Sequence, residues 1–228
     1  MSYAWLIIPL AIAVLDWVAL SRNWVVVHSF AKQGVIIALL AGSWFMTRWT
    51  GLLLFFGVAL VFSLIGDILL LSPKLFLPGL VAFLLAQLAY ILGLNLHTTL
   101  LSLITFGVLL GAAGVVALLF PRYRLALNRK PETRPLVIPA LLYSIILSLM
   151  MFSAVATLFR SEWSNVWTIL LVTAGGILFF ISDSTLAQDR FVHPVRNGPL
   201  VVMVTYHLAQ MALITGAMLN FFTLVIKP

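Results

Sequence analysis

Hydrophobic positions in this sequence form long continuous runs, and the breaks between them cluster charged residues, prolines and turn formers. A helix needs roughly 20 apolar residues to cross the hydrocarbon core of a bilayer. A transmembrane β-barrel is disfavoured because its strands would alternate apolar and polar positions over about ten residues. The pattern predicts eight membrane-spanning helices, at about residues 3–20, 30–46, 51–71, 79–96, 98–120, 136–159, 166–186 and 200–222.

The longest predicted loop covers residues 121–135 and holds five basic residues against the single acidic residue Glu132. Ten Lys and Arg residues fall at the end of the bundle where odd-numbered helices finish, and three fall at the other end. Basic residues favour the cytoplasmic side, so we expect the richer end there and both termini outside. The least distinct break is at His97 and Thr98, and the orientation of every later helix depends on it.

The amino-acid composition also indicates that most of the chain is surrounded by lipid. The 228 residues are 63% hydrophobic and 8% charged, against about 25% charged in a soluble domain. We therefore expect an all-α, polytopic transmembrane bundle of one domain, residues 1–228, in a bacterial inner membrane. The net charge of +7 lies in predicted loops, which favours lipid head groups over nucleic acid as partners.

Ionisable residues inside a bilayer are candidates for function because burying a charge there is costly. Three of the six carboxylates lie in predicted loops, namely Glu132, Glu162 and Asp189. Asp67 and Asp183 each follow a small residue within an apolar run and lack a basic residue one turn away. Asp16 is either an interfacial residue that reaches water or a third member of a buried group.

The predicted depths of the polar residues converge. Asp16, Asp67 and Asp183 come in the last turns of odd-numbered helices, which end on one side of the membrane. Four further polar residues come in the first turns of even-numbered helices on that same side, namely Lys32, Tyr143, Tyr206 and His207. This predicts a polar cavity that opens at one face. Lys32 could instead extend to the surface, and His207 could be a hydrogen-bonded packing residue; His28 is expected in a loop.

The sequence offers little for other chemistries. No two histidines are spaced three or four residues apart, and cysteine is absent. A Gly-x-Ser-x-Gly elbow, a phosphate-binding loop and a dinucleotide fingerprint are also absent. We therefore predict neither a metal site nor a cofactor.

Several short motifs together resemble those of the YhhN family, the bacterial relatives of eukaryotic lysoplasmalogenases. They are Ala31-Lys32, residues 62–70 around Gly66-Asp67, Gly79-x3-Phe83-x3-Gln87-x2-Tyr90, Tyr143-Ser144, residues 176–184 with Ser182-Asp183, and Tyr206-His207-Leu208-Ala209-Gln210. The motifs follow the family order and cover nearly the whole chain from the second helix onward. The chain departs from the family pattern at Gln87, where His is frequent, and at Gln33, where Pro is frequent.

The resemblance implies hydrolysis of the vinyl ether bond of lysoplasmalogens to a fatty aldehyde and glycerophosphoethanolamine or glycerophosphocholine. Asp67 and Asp183 are the expected acid–base pair, by analogy with the paired carboxylates of glycoside hydrolases; which one is the acid is left open. Lys32 would hold the phosphate or keep one aspartate ionised. The remaining expected substrate-binding residues are Gln87, Tyr90, Tyr143, Ser182, Tyr206, His207 and Gln210.

Two other functions remain open. A proton-coupled transporter or lipid-handling channel could use the buried aspartates as a relay, although interrupted helices and repeats typical of transporters are not evident. A helical scaffold with buried polar side chains would need neither substrate nor transport. The oligomeric state is also open.

Overall fold

A computed structural model describes residues 4–96, 102–163 and 165–226, and only the backbone of 222–226. Within these ranges the chain forms eight α-helices and no β-strand, which confirms the predicted all-α fold class. The helices are α1 (Ile7–Ser21), α2 (Val25–Thr47), α3 (Leu53–Leu69), α4 (Phe76–Asn95), α5 (Leu103–Leu127), α6 (Val137–Val155), α7 (Val166–Ala187) and α8 (Gly198–Ile226). A π-helix, Gln188–Val192, continues α7, and short 3-10 helices lie at Ala4–Leu6, Pro73–Leu75, Arg134–Leu136 and Ala156–Phe159.

In the described ranges, seven helical segments are long and apolar enough to cross a membrane. The chain is thus a multi-pass integral membrane protein. Helix α3 is the shorter exception, with 17 residues. Its length of about 26 Å is slightly less than the roughly 30 Å hydrocarbon core, because a turn at Leu70 and Leu71 ends it early.

Two predicted boundaries are wrong. Helix α2 begins at Val25 rather than near residue 30, so His28 lies in a helix and not in a loop. The predicted loop at 121–135 is much shorter, since α5 continues through Pro121 to Leu127. Proline removes only one backbone donor, and the residues that follow it are mostly good helix formers. Ala126 and Leu127 are also buried, so packing stabilises these last turns.

Helix α8 lies at the centre of the bundle and packs against α1, α2, α3 and α7. Its approach to α7 depends on Gly175, where a Cβ would lie 3.0 Å from the backbone nitrogen of Leu213. Gly176, one residue on, faces α6 instead, and a Cβ there would lie 2.5 Å from that of Ala154. The adjacent glycines thus bring α7 close to helices on two sides, as small residues do in membrane proteins.

From α3 to α8, successive helices run in opposite directions, as predicted. One cavity is lined by the final turns of α3, α5 and α7 and by the first turns of α4, α6 and α8. This places the end of α4 opposite the end of α5, so the chain crosses the bundle once in each helix. His97 and Thr98, the predicted break between α4 and α5, lie outside the described residues, as does Lys227.

Candidate active site

The cavity at this end of the bundle has a volume of about 240 Å³. Its wall is mostly apolar, with Val115, Leu119 and Phe120 from α5 facing inward. Polar residues also border it, among them six of the predicted site residues, namely Lys32, Asp67, Tyr143, Ser182, Asp183 and Tyr206. An apolar hollow with a few convergent polar groups is typical of a ligand-binding site.

Asp67 is held by donors on both carboxylate oxygens. The ammonium of Lys32 lies 2.9 Å from Oδ1, and the hydroxyl of Tyr206 donates to Oδ2 at 2.8 Å. Asp67 is 1% exposed and Lys32 8%, so neither side chain extends to the surface. Gly66, the residue before Asp67, allows α4 to pack closely against α3, because the ring of Phe83 on α4 lies where a Cβ of Gly66 would be. Buried charges in a membrane are tolerated when they are paired in this way.

A layer of polar residues behind Asp67 supports it. Gln210 donates to the hydroxyl of Ser63 at 2.9 Å, and the hydroxyl of Tyr90 donates to the Oε1 of Gln210. Ser63, Tyr90 and Gln210 are fully buried and do not line the cavity. They join α3, α4 and α8 to one another, so they act on Asp67 through the packing of these helices.

Asp183 of α7 also lines the cavity and is only partly buried. Its Oδ2 accepts hydrogen bonds from the hydroxyl of Tyr143 and from the amide of Gln87 at 3.0 Å. Gln87 also donates to Tyr143 at 2.7 Å. In the described part of the chain, neither a cation nor a hydrogen-bond donor contacts Oδ1 of Asp183. This oxygen is therefore free to meet a ligand.

Ser182 and His207, also expected at the site, face elsewhere. The hydroxyl of Ser182 donates to the carbonyl of Val202 at 3.0 Å and links α7 to α8, although the residue borders the cavity. His207 does not line the cavity, and its Nδ1 accepts a hydrogen bond from the indole of Trp17 at 3.2 Å. Its contact is with α1, which agrees with the alternative of a packing histidine.

Asp16 pairs with His28. It is 0% exposed and accepts a hydrogen bond from His28 at 2.7 Å, so the alternative of a water-exposed interfacial residue is wrong. Neither residue borders the cavity. No three His, Asp or Glu side chains among the described residues are close enough to hold a metal ion together.

The sequence analysis missed Arg190, which lines the cavity from the π-helix and stacks on Phe76. It was counted only as a basic loop residue. A usable signal was present, because Asp183, Ala187 and Arg190 have the i, i+4, i+7 spacing of one helix face. Tyr123 was missed because the helix that carries it was predicted to end at residue 120.

Comparison with known proteins shows that the model of the YhhN family matches residues 27–217. The chain belongs to the YhhN family. Every residue of the two aspartate clusters falls within the matched range, whereas Asp16 precedes it.

The chain is also similar to curated proteins. Lysoplasmalogenase TMEM86B of Homo sapiens is 30% identical over 70% of this chain and 62% of its own length. The protein of the same name from Sus scrofa is 32% identical over 67% of this chain and 58% of its own length. Lysoplasmalogenase TMEM86A of Bos taurus is 31% identical over 70% and 63%. The chain thus spans about three fifths of the length of these relatives. No solved structure matches it.

Proposed function

We propose that this YhhN-family protein hydrolyses the vinyl ether bond of lysoplasmalogens. The names of its relatives support the reaction. The observation that carries it is that Asp67 of α3 and Asp183 of α7 line the same cavity. Vinyl ether hydrolysis needs a proton donor and stabilisation of a cationic intermediate, and paired carboxylates can supply both.

The contacts suggest different roles for the two aspartates. Asp67 is paired with the ammonium of Lys32, which favours its ionised form. Asp183 has no such partner among the described residues, and its Oδ1 is free. We therefore assign the acid to Asp183 and the charge-stabilising carboxylate to Asp67.

The reaction begins when Oδ1 of Asp183 protonates the outer alkene carbon, and the alkene electrons form the new C–H bond. The inner carbon becomes an oxocarbenium ion, which the carboxylate of Asp67 stabilises. Tyr143 and Gln87 donate to Oδ2 of Asp183 and so stabilise the carboxylate that remains after proton transfer.

Water then adds to the inner carbon and returns a proton to Asp183. The resulting hemiacetal breaks its bond to the glycerol oxygen, which takes up the hydroxyl proton. The products are a fatty aldehyde and the glycerophospho head group, and no net proton is consumed.

The other expected residues have either direct or supporting roles. Tyr206 and Lys32 hold Asp67 at the cavity wall. Gln210, Tyr90, Ser182 and His207 join α8 to its neighbours. The apolar lining from α5 suits a single acyl chain. We place the cavity at the cytoplasmic face of a bacterial inner membrane because the basic residues concentrate at that end.

The test is aldehyde release from purified protein, with a lysoplasmalogen as substrate and a saturated lysophospholipid as the negative control. Asp67→Asn and Asp183→Asn should each lower kcat at least about 100-fold, since a positioned acid contributes about 10²–10⁴-fold and loss of one electrostatically stabilising group costs about 10²–10³-fold. Thermal unfolding in detergent reports whether each variant is folded.

Asp16→Asn is the matched control, because it removes a third buried carboxylate that does not border the cavity. It should retain aldehyde release. Near-normal turnover in both Asp67→Asn and Asp183→Asn would contradict the proposed site. Absence of aldehyde from the wild-type protein would favour the transporter or scaffold alternatives.

A further inference from the structure

The guanidinium of Arg190 lies at the mouth of the cavity and is free to bind an anion. It stacks on the ring of Phe76, with Cζ 3.9 Å from the ring centre. Phe76 is in turn held by Phe191, at 5.8 Å between ring centres. The stacking fixes the guanidinium by its face and leaves its N–H groups, which point outward in its plane, available to a ligand.

No acidic residue competes for these donors. In residues 4–96, 102–163 and 165–226, Arg190 forms no ion pair and donates no hydrogen bond to the protein. The carboxylate next to it, Asp189, accepts a hydrogen bond from the backbone nitrogen of Val195 at 2.7 Å. Lys32, by contrast, is already paired with Asp67. Among the described residues, two cationic side chains line the cavity, and of these two only Arg190 is unpaired.

The spacing between Arg190 and Asp183 fits one class of ligand. Seven residues of helix separate the two backbones by about 10 Å along the axis. In a lysoplasmalogen, seven bonds connect the phosphorus to the outer alkene carbon. Three bonds of an extended chain span about 3.3–3.6 Å, so seven span roughly 8 Å. A phosphate at Arg190 would thus put the alkene near Asp183.

We propose that Arg190 binds the phosphate of the substrate head group, and that this contact makes the enzyme selective for phosphorylated alkenylglycerols. Guanidinium and phosphate match in charge and in paired donors and acceptors. The assignment rests on the proposed function for the position of the reacting bond. It gives the phosphate to a residue nearer the cavity mouth, whereas Lys32, expected either to hold the phosphate or to keep one aspartate ionised, is paired with Asp67.

Kinetics with two substrates provide the first test. Arg190→Gln should lower kcat/KM for an alkenylglycerophosphocholine by about tenfold to hundredfold, mainly through KM, because hydrogen bonds to charged groups are lost. It should leave kcat/KM unchanged for the alkenylglycerol that lacks phosphate. Arg196→Gln is the matched control, since Arg196 is exposed and does not border the cavity, and it should change neither value.

A binding measurement tests Arg190 independently of catalysis. A non-hydrolysable alkylglycerophosphocholine and the corresponding alkylglycerol are titrated into wild-type protein and Arg190→Gln in detergent. Only the affinity for the phosphate compound should fall. Equal loss for both compounds would show that Arg190 is structural. No loss for either compound, the result expected if Arg190 binds neighbouring membrane lipids instead, would also overturn the assignment. If the wild-type protein releases no aldehyde but shows the predicted binding difference, the proposed reaction fails while the phosphate site stands.

Discussion

At Asp183 two neutral donors, Tyr143 and Gln87, share one carboxylate oxygen and leave the other open to the cavity. At Asp67 a cation and a hydroxyl occupy both oxygens. Two carboxyl groups in environments that differ in this way can have different roles in one reaction. The distinction rests on the partners of each oxygen and not on the residue type.

Tyr143→Phe removes one donor to the Asp183 carboxylate and keeps the aromatic ring. We expect kcat to fall about tenfold to hundredfold with little change in KM, because a hydrogen bond to a charged group is worth about 1.5–3 kcal/mol. Steady-state kinetics of aldehyde release measure this. A rise in KM with unchanged kcat would instead indicate that the tyrosine hydroxyl binds the substrate in its ground state.

Sequence reasoning located the aspartates but not all of their partners. Depth along a helix follows from residue number, so the convergence of Asp67, Asp183 and Tyr143 at one end could be predicted. The direction in which a side chain points depends on how the helices pack. Sequence alone therefore left open whether Lys32 pairs with an aspartate and whether His207 is a packing residue, and the structure shows the contact of Lys32 with Asp67 and that of His207 with α1.

At the scale of elements, the joint between α7 and α8 supports one side of the site. Gly175 brings the two backbones close, and α7 carries Asp183 while α8 carries Tyr206. Helix α5 shows how sequence patterns can mislead, because its proline and basic residues are typical of a loop. The helix persists since its last turns pack against the bundle and line the cavity.

Gly175→Leu should destabilise the bundle, because a Cβ would meet backbone atoms of α8 at 3.0–3.1 Å. Overpacking of this kind typically costs about 1–3 kcal/mol, and the thermal unfolding midpoint in detergent should fall clearly.

Gly114→Leu on α5 is the matched control. A Cβ there meets no atom within 4 Å, so its unfolding midpoint should stay at or above that of the wild-type protein. Equal midpoints for Gly175→Leu and Gly114→Leu would contradict the close packing of α7 and α8.

For the whole molecule, the central feature is a cavity placed at one end of a membrane-embedded bundle. Only Ala112, Ala126 and Leu127 are buried in α5, so much of this wall faces the lipid. Such a cavity suits a substrate that keeps its chain in the bilayer and presents its ether near the head groups. A relay across the membrane would instead need polar groups along the whole path.

The most direct test of the proposed reaction is to follow the proton that Asp183 transfers to the alkene. Purified protein is given a lysoplasmalogen in D₂O, the aldehyde is trapped as an oxime, and its mass is measured. Protonation of the outer alkene carbon by Asp183 predicts one deuterium at the carbon next to the aldehyde group, formed much more slowly by Asp183→Asn. Aldehyde without deuterium at that carbon, or formed equally fast by the variant, would contradict the account.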